Sequence, residues 1–479
     1  MSVTNFIAGE RAAPRGERLY RAINPARTDD LIAEYPLSNI ADVEAAVAAA
    51  RKAAPGWAAQ TPIARGEILR KAAEIIRSRL EAIAQQMTRE VGKPLEESRG
   101  ETLYSARVLE FYAAEGLRFG GENLPSGRPG VFAYTTRKPI GSVGLITPWN
   151  FPMSIAAWKV GPALVTGNTA VWKPCLQAPF TSMALVEAFL EAGLPAGVLN
   201  LLHGDGFDVG QAMVDHPDLA GISFTGSQKV GFGVHRSASN RRARVQCELG
   251  GKNPLVVLDD ADLDLAVTTA IEGAFRNAGQ KCTATSRVIL QDGIRQAFVD
   301  KFVARASALT VGDPADPANF VGPVVDERQY EKVIGYIRTG VEEGAKLLCG
   351  GDVRRNTTGY FIEPTIFDGV TRDMTIARDE IFGPVVALFS AGSLEDAIEI
   401  ANDTENGLSA SICTSNLGSA HDFVTRAQSG IAAVNLPTAG VELQAPFGGS
   451  KASGLGVKEQ GRPVLDFYSE LRTIYMKVA

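Results

Sequence analysis

The chain has 479 residues, of which 45% are hydrophobic and 21% charged. That is an ordinary globular mixture and excludes a disordered or collagen-like chain, while the length suits two or three domains. With 48 basic and 54 acidic side chains the net charge is −6, which offers no field to nucleic acid or anionic lipid, so neither is expected as a partner.

Met1 to Gly16 holds no apolar stretch behind a basic start, so no secretory signal is expected. Asp42 to Ala54 and Ala64 to Val91 carry apolar residues at helical spacing and read as packing helices. Pro139 to Trp158 is uncharged, but its prolines and Asn150 suit a buried strand, a turn and a helix start better than a membrane span. From Ser142 onward, strands at Ser142–Thr147, Thr169–Trp172, Val198–Leu202 and Ile222–Thr225 alternate with helices at Pro152–Val165, Pro179–Ala192, Phe207–Val214 and Lys229–Ser237. This alternation predicts right-handed crossovers and a parallel sheet with ligands at the strands' carboxyl ends. The Gly250-Gly251 pair marks a boundary. Beyond it, strands at Leu255–Leu258, Arg287–Gln291 and Val385–Phe389 and helices at Leu263–Phe275 and Ile294–Ala308 form a second α/β series. The tail alternates Thr473, Tyr475 and Lys477 with Ile474, Met476 and Val478, as a half-buried strand does. Without an evident partner in the chain, it is expected to pair with another subunit.

The five cysteines are odd in number and scattered, with no CxxC and no Cys/His cluster, so neither a disulfide framework nor a metal site is expected. A reducing, cytoplasmic setting fits. Cys282 differs from the others because it sits in a connector, Gln280-Lys281-Cys282-Thr283, between a helix and a strand. It is either a presented nucleophile, with Lys281 favouring thiolate, or a packed thiol. Glu248 ends an apolar strand and is either a general base raised by burial or a turn carboxylate paired with Lys252. Asn150 either donates to an oxyanion or caps the helix that follows. No GxGxxG opens a helix after a strand; Gly204-Asp205-Gly206-Phe207 is a weak decoy. Phe224-Thr225-Gly226-Ser227 instead offers a strand, a glycine turn and a helix start, for a pyrophosphate or for a cap by Ser227. Lys173, at a strand end, is placed for ribose or phosphate, or is simply solvated.

Taken together, Pro148-Trp149-Asn150-Phe151-Pro152, Gly167-Asn168-Thr169, Phe224-Thr225-Gly226-Ser227, Glu248-Leu249-Gly250-Gly251-Lys252, Gly279-Gln280-Lys281-Cys282 and Glu380-Ile381-Phe382-Gly383-Pro384 stand in one order. In this the chain resembles the aldehyde dehydrogenase superfamily, from Asn24-Pro25-Ala26 to Pro446-Phe447-Gly448-Gly449. The resemblance implies an α/β fold with a Rossmann-type cofactor domain (1–119 and 140–250), a second α/β catalytic domain (251–450) and small oligomerisation segments (120–139 and 451–479). A homodimer or homotetramer is implied as well. Cys282 would be the nucleophile, and Asn150 with the Cys282 N–H would hold the oxyanion. Glu248 would activate the water that hydrolyses the thioester. Glu380 and Phe382 would hold the nicotinamide ribose and ring, and Lys173 the adenosine ribose. Pro148, Trp149, Cys175, Gly226, Ser227 and Gly250 would form the turns and surfaces around the dinucleotide.

Many NAD-preferring members carry a glutamate three residues after the lysine, whereas this chain has Leu176, so the cofactor is NADP or NAD. Arg276, six residues before Cys282, matches the arginine that pairs with the far carboxylate in semialdehyde-oxidising members, or else simply faces its helix dipole. Trp158 stands where succinate semialdehyde dehydrogenases carry a second arginine. The segments around Cys282, Asn435–Glu442 and Lys458–Gly461 are most similar to α-ketoglutarate semialdehyde (2,5-dioxopentanoate) dehydrogenases, with Thr438 and Gly440 at the substrate mouth. Two rivals stand beside this reading. In one, Trp149, Trp158 and Phe447 funnel an aromatic or aliphatic aldehyde; the other is a non-enzymatic binding role.

Overall fold

A computed structural model describes residues 2–351 and 358–477, and two sheets organise the chain. In the first, the parallel strands Leu199–Leu201, Thr169–Lys173, Ser142–Ile146, Gly221–Thr225 and Arg244–Glu248 lie side by side in that order. The chain winds outward from Ser142–Ile146 in both directions, so the order reverses beside that strand. A crevice opens there at the carboxyl ends. Short antiparallel strands close both edges, Asn5–Ile7 on one side and Gly454–Leu455 on the other. The central strands are buried on both faces, which explains why they read as apolar runs rather than alternations.

The second sheet runs Lys346–Cys349, Thr365–Asp368, Val385–Ala391, Thr285–Gln291, Asn253–Val257, Ser409–Cys413 and Ile431–Val434. All neighbours are parallel except the first pair. Each lobe encloses its own apolar core, with Trp172 and Phe189 in the first and Phe298 and Phe302 in the second.

Several expectations shift. The expected helix Ala64–Val91 is two, Pro62–Ser78 and Leu80–Val91, parted at Arg79. A further helix, Leu95–Glu115, follows; its apolar residues are too evenly spread for a clear stripe. Phe207–Val214 is a π-turn, Gly206–Gly210, leading into a short helix, Gln211–Asp215. The tail strand, Ser469–Lys477, does find a partner within the chain: it pairs antiparallel with Val131–Pro139 over its full length. Nor is it half-buried, since Leu471, Tyr475 and Met476 are exposed along with its polar residues. Val478, the last residue of the expected alternation, lies outside the described residues. Gly454–Leu455 belongs to the first sheet and Val464 to Tyr468 to its core, so of 451–479 only the tail strand joins the separate hairpin.

Candidate active site

The nucleophile loop leaves its helix abruptly. Helix Leu263–Phe275 is followed by Asn277, Ala278 and Gly279, all with positive φ (53°, 51° and 70°). Three successive left-handed residues are costly for L-amino acids. Packing holds them: a Cβ on Gly279 would collide with the Gly383 carbonyl, so glycine is required for this close approach. The loop is pinned beyond that point too. Asn253 Nδ2 donates to the Cys282 carbonyl at 2.8 Å and to the Ala284 carbonyl at 2.9 Å, and Thr438 Oγ1 donates to the Thr283 carbonyl at 2.8 Å.

Cys282 reaches a cavity of about 510 Å³ at the first sheet's crevice. Glu248 and Asn150 line the same cavity, each from the end of a different strand of the first sheet. Burial, with Glu380 and Glu248 nearby, pushes the Cys282 thiol up to about 12. Lys281 does not favour its thiolate: that ammonium donates to the Glu272 carbonyl at 3.1 Å. The Glu248 carboxyl is raised well above the usual range by burial and by Glu459, against a lowering by Lys159. Among the described residues its Oε2 has no partner, and it forms no pair with Lys252, whose own Nζ is also unpartnered. Behind it, buried Lys159 donates to Glu459 at 2.7 Å and to Ser223 at 2.8 Å.

Asn150 does not cap the next helix. Its amide donates to the Gln280 carbonyl at 3.1 Å, tying the turn to the nucleophile loop. An amide nitrogen carries two N–H groups, so one remains for a ligand. The helix start is served instead by Glu101, whose Oε1 accepts from the N–H groups of Met153 at 3.0 Å and Ser154 at 3.1 Å. Glu101 is paired with buried Lys93, which donates to the Asn150 carbonyl at 2.7 Å. Sequence reasoning missed both residues. They lie beyond Val91, where the stretch read as a packing helix ends, and nothing but their charge marks them.

The rest of the cavity is suited to a dinucleotide. Gly226 and Ser227 line it at the start of helix Gln228–Asn240, where no side chain caps the first-turn N–H groups, Ser227 included. Such a terminus accepts a phosphate. Glu380, Phe382 and Gly250 line it as well, with Pro148 and Trp149. Glu380 Oε1 accepts from the Gly251 N–H at 2.9 Å, and a Cβ on Gly250 would fill the space of its carboxylate. Phe382 sits at φ 61° and meets Trp149 edge to face, ring centres 5.4 Å apart.

Other expected residues lie elsewhere. Lys173 is buried, donating to the carbonyls of Pro174 at 3.0 Å and Gly204 at 3.3 Å; Cys175 is buried beside it, and neither lines this cavity. Trp158 and Phe447 pack together at 5.2 Å in the first core. Thr438 is buried behind the nucleophile loop rather than at a mouth, while Gly440 is exposed. Arg276 Nε pairs with Glu272 at 2.7 Å, and its guanidinium lies 4.1 Å from the Phe320 ring centre. It lines a separate cavity of about 690 Å³ that Cys282 does not reach. Among the described residues no group of His, Cys, Asp and Glu is arranged to hold a metal, and no helix is long and apolar enough to cross a membrane.

The profile described as "Aldehyde dehydrogenase family" matches residues 12–474. The chain is 45% identical to the alpha-ketoglutaric semialdehyde dehydrogenase of Bacillus subtilis, over 99% of this chain and 98% of that one. It is 43% identical to the 2,5-dioxopentanoate dehydrogenase of Saccharolobus solfataricus, over 95% and 96%. Among solved structures, a point mutant of betaine aldehyde dehydrogenase from Staphylococcus aureus in complex with NAD+ superposes with a TM-score of 0.96 at 33% identity, covering 100% of this chain and 96% of that one.

Proposed function

This chain belongs to the aldehyde dehydrogenase family, and from that premise we propose that its substrate is a semialdehyde bearing a distal carboxylate, of the α-ketoglutarate semialdehyde type. The reaction is oxidation of the aldehyde to the acid with a nicotinamide dinucleotide as acceptor. The first lobe holds the dinucleotide and the second supplies the nucleophile. The observation that carries the reading is the convergence of Cys282, Glu248 and Asn150 on one cavity that Glu380, Phe382 and an uncapped helix terminus also line.

Glu248 in its ionised form takes the Cys282 S–H proton and passes it to solvent as Sγ bonds to the aldehyde carbon, and the resulting oxyanion takes the free Asn150 N–H and the Cys282 backbone N–H. Phe382 and Glu380 would hold the nicotinamide ring and ribose of a dinucleotide, which would supply the hydride acceptor. Loss of hydride leaves a thioester on Cys282. Glu248, with an unpartnered oxygen and a raised pKa, takes a proton from the attacking water. The acid leaves, and the proton on Glu248 passes to the sulfur and restores the thiol.

Similarity to the two semialdehyde enzymes supports the substrate class. With Leu176 in place of an acid after Lys173, a 2′-phosphate meets no carboxylate there, and NADP serves at least as well as NAD. We read the assembly as a homo-oligomer joined through the tail strand, whose outer edge pairs with no other strand among the described residues.

The test is a panel of aldehydes with both dinucleotides. The expected outcome is a kcat/KM for α-ketoglutarate semialdehyde at least tenfold above those of betaine aldehyde and uncharged aldehydes. Preference for betaine aldehyde would overturn the substrate reading, and a strong preference for NAD would overturn the cofactor one.

A further inference from the structure

Helix Leu95–Glu115 does not line the cavity of Cys282, yet its first turns touch both parts of the reaction centre. Glu97 and Glu101 stand one turn apart on it, on the same face. Glu97 Oε1 accepts from the Asn277 N–H at 3.1 Å, within the left-handed run that leads to Cys282. Glu101 Oε1 accepts from the Met153 and Ser154 N–H groups, in the turn that follows Asn150. Lys93, just before the helix, has a fully buried side chain. Its ammonium donates to Glu101 and to the Asn150 carbonyl at 2.7 Å, and lies 3.9 Å from the Phe151 ring centre. The two arms meet. The Asn150 and Asn277 amides both donate to the Gln280 carbonyl, at 3.1 and 3.3 Å.

A buried ion pair is a weak stabiliser, and replacing one by apolar side chains of similar volume is often neutral or better. Stability is therefore a poor reason for the Lys93–Glu101 pair. What an apolar pair could not do is serve the Asn150 carbonyl and the Met153 and Ser154 N–H groups, which are costly to bury without partners. Those groups belong to the turn that aims the Asn150 amide, while Glu97 holds the loop that aims the Cys282 N–H. Oxyanion stabilisation needs donors fixed before charge develops, so a small displacement of either appears as lost rate.

We propose that Lys93, Glu97 and Glu101 are positioning residues that fix the two donors of the oxyanion hole, the Asn150 amide and the Cys282 N–H, relative to each other. None of the three lines the cavity, so they act through the turn and the loop they hold. This rests on the roles given above to Asn150 and Cys282, but not on the identity of the aldehyde.

The test is a double-mutant cycle with Asn150→Ala. Lys93→Met made together with Glu101→Gln removes the pair and leaves no unpaired charge buried. It should lower kcat about 10- to 100-fold, while the dinucleotide Kd, read by fluorescence titration, stays near that of wild type. In the Asn150→Ala background the same replacement should cost less than about threefold, because the amide it aims is gone. A merely structural pair would lower kcat equally in both backgrounds. Glu97 is partly exposed, so Glu97→Ala tests the loop arm with little risk to folding. It should lower kcat roughly tenfold, and Glu97→Gln, which keeps an acceptor oxygen, should recover most of that. Equal losses in the two backgrounds, or an unchanged kcat in Glu97→Ala, overturn the inference while leaving the role of Asn150 standing. An Asn150→Ala enzyme with wild-type kcat overturns both. Should the pair replacement fail to fold, the Glu97 variants decide alone.

Discussion

At the scale of single residues, burial sets the acid–base properties of the site. Glu248 is raised by its apolar surroundings and by Glu459, so it is protonated in acid and becomes a competent base only as pH rises. Hydrolysis of the acyl-enzyme should therefore speed up with pH through that raised value. Glu248→Gln should cut kcat by about 10²- to 10⁴-fold and flatten this limb, with a thioester accumulating that mass spectrometry of the intact protein detects. Asn150→Ala should cost about 10²- to 10³-fold in kcat, seen in steady-state turnover at saturating aldehyde. Cys282→Ser should abolish turnover while leaving dinucleotide binding measurable by fluorescence. These three residues were legible in the sequence because each sits at a strand end or connector inside a distinctive run. Lys93 and Glu101 were not. Their role depends on a side-chain pairing across eight positions of chain and on carbonyl and N–H groups that no residue pattern displays.

At the scale of elements, the loop from Asn277 to Cys282 matters most. Its left-handed run includes Gly279, which packs against the Gly383 backbone. Gly279→Ala should cost about 1–2 kcal/mol for the backbone conformation alone, with the collision added, and should displace Cys282. The expected readouts are a lower melting temperature and a larger proportional loss in kcat than in dinucleotide affinity. The alternating strands and helices of the first lobe were readable from periodicity, since doubly buried parallel strands form continuous apolar runs. The break at Arg79 was hidden because helical spacing continues across it. The strands Ser409–Cys413 and Ile431–Val434 were missed because short, small-residue segments carry little period.

At the scale of the whole molecule, the two parallel sheets contribute different parts to one cleft, and a ligand spanning it should stabilise both lobes. Dinucleotide at 100 times its Kd should add about 2.7 kcal/mol, read as a higher melting temperature. A tail removed after Tyr468 should leave Val131–Pro139 without its long antiparallel partner. Sedimentation should then show a smaller assembly than that of the full chain. Folding topology was inferable from sequence as far as the lobes are concerned. The tail's partner was not, because pairing between residues more than 300 positions apart leaves no local trace.

The edge strand Gly454–Leu455 and the core residues from Val464 to Tyr468 give the first lobe a late ingredient. A ribosome must finish the entire second lobe before the first can close, so the nascent amino-terminal half waits, incomplete, while an inserted neighbour matures ahead of it.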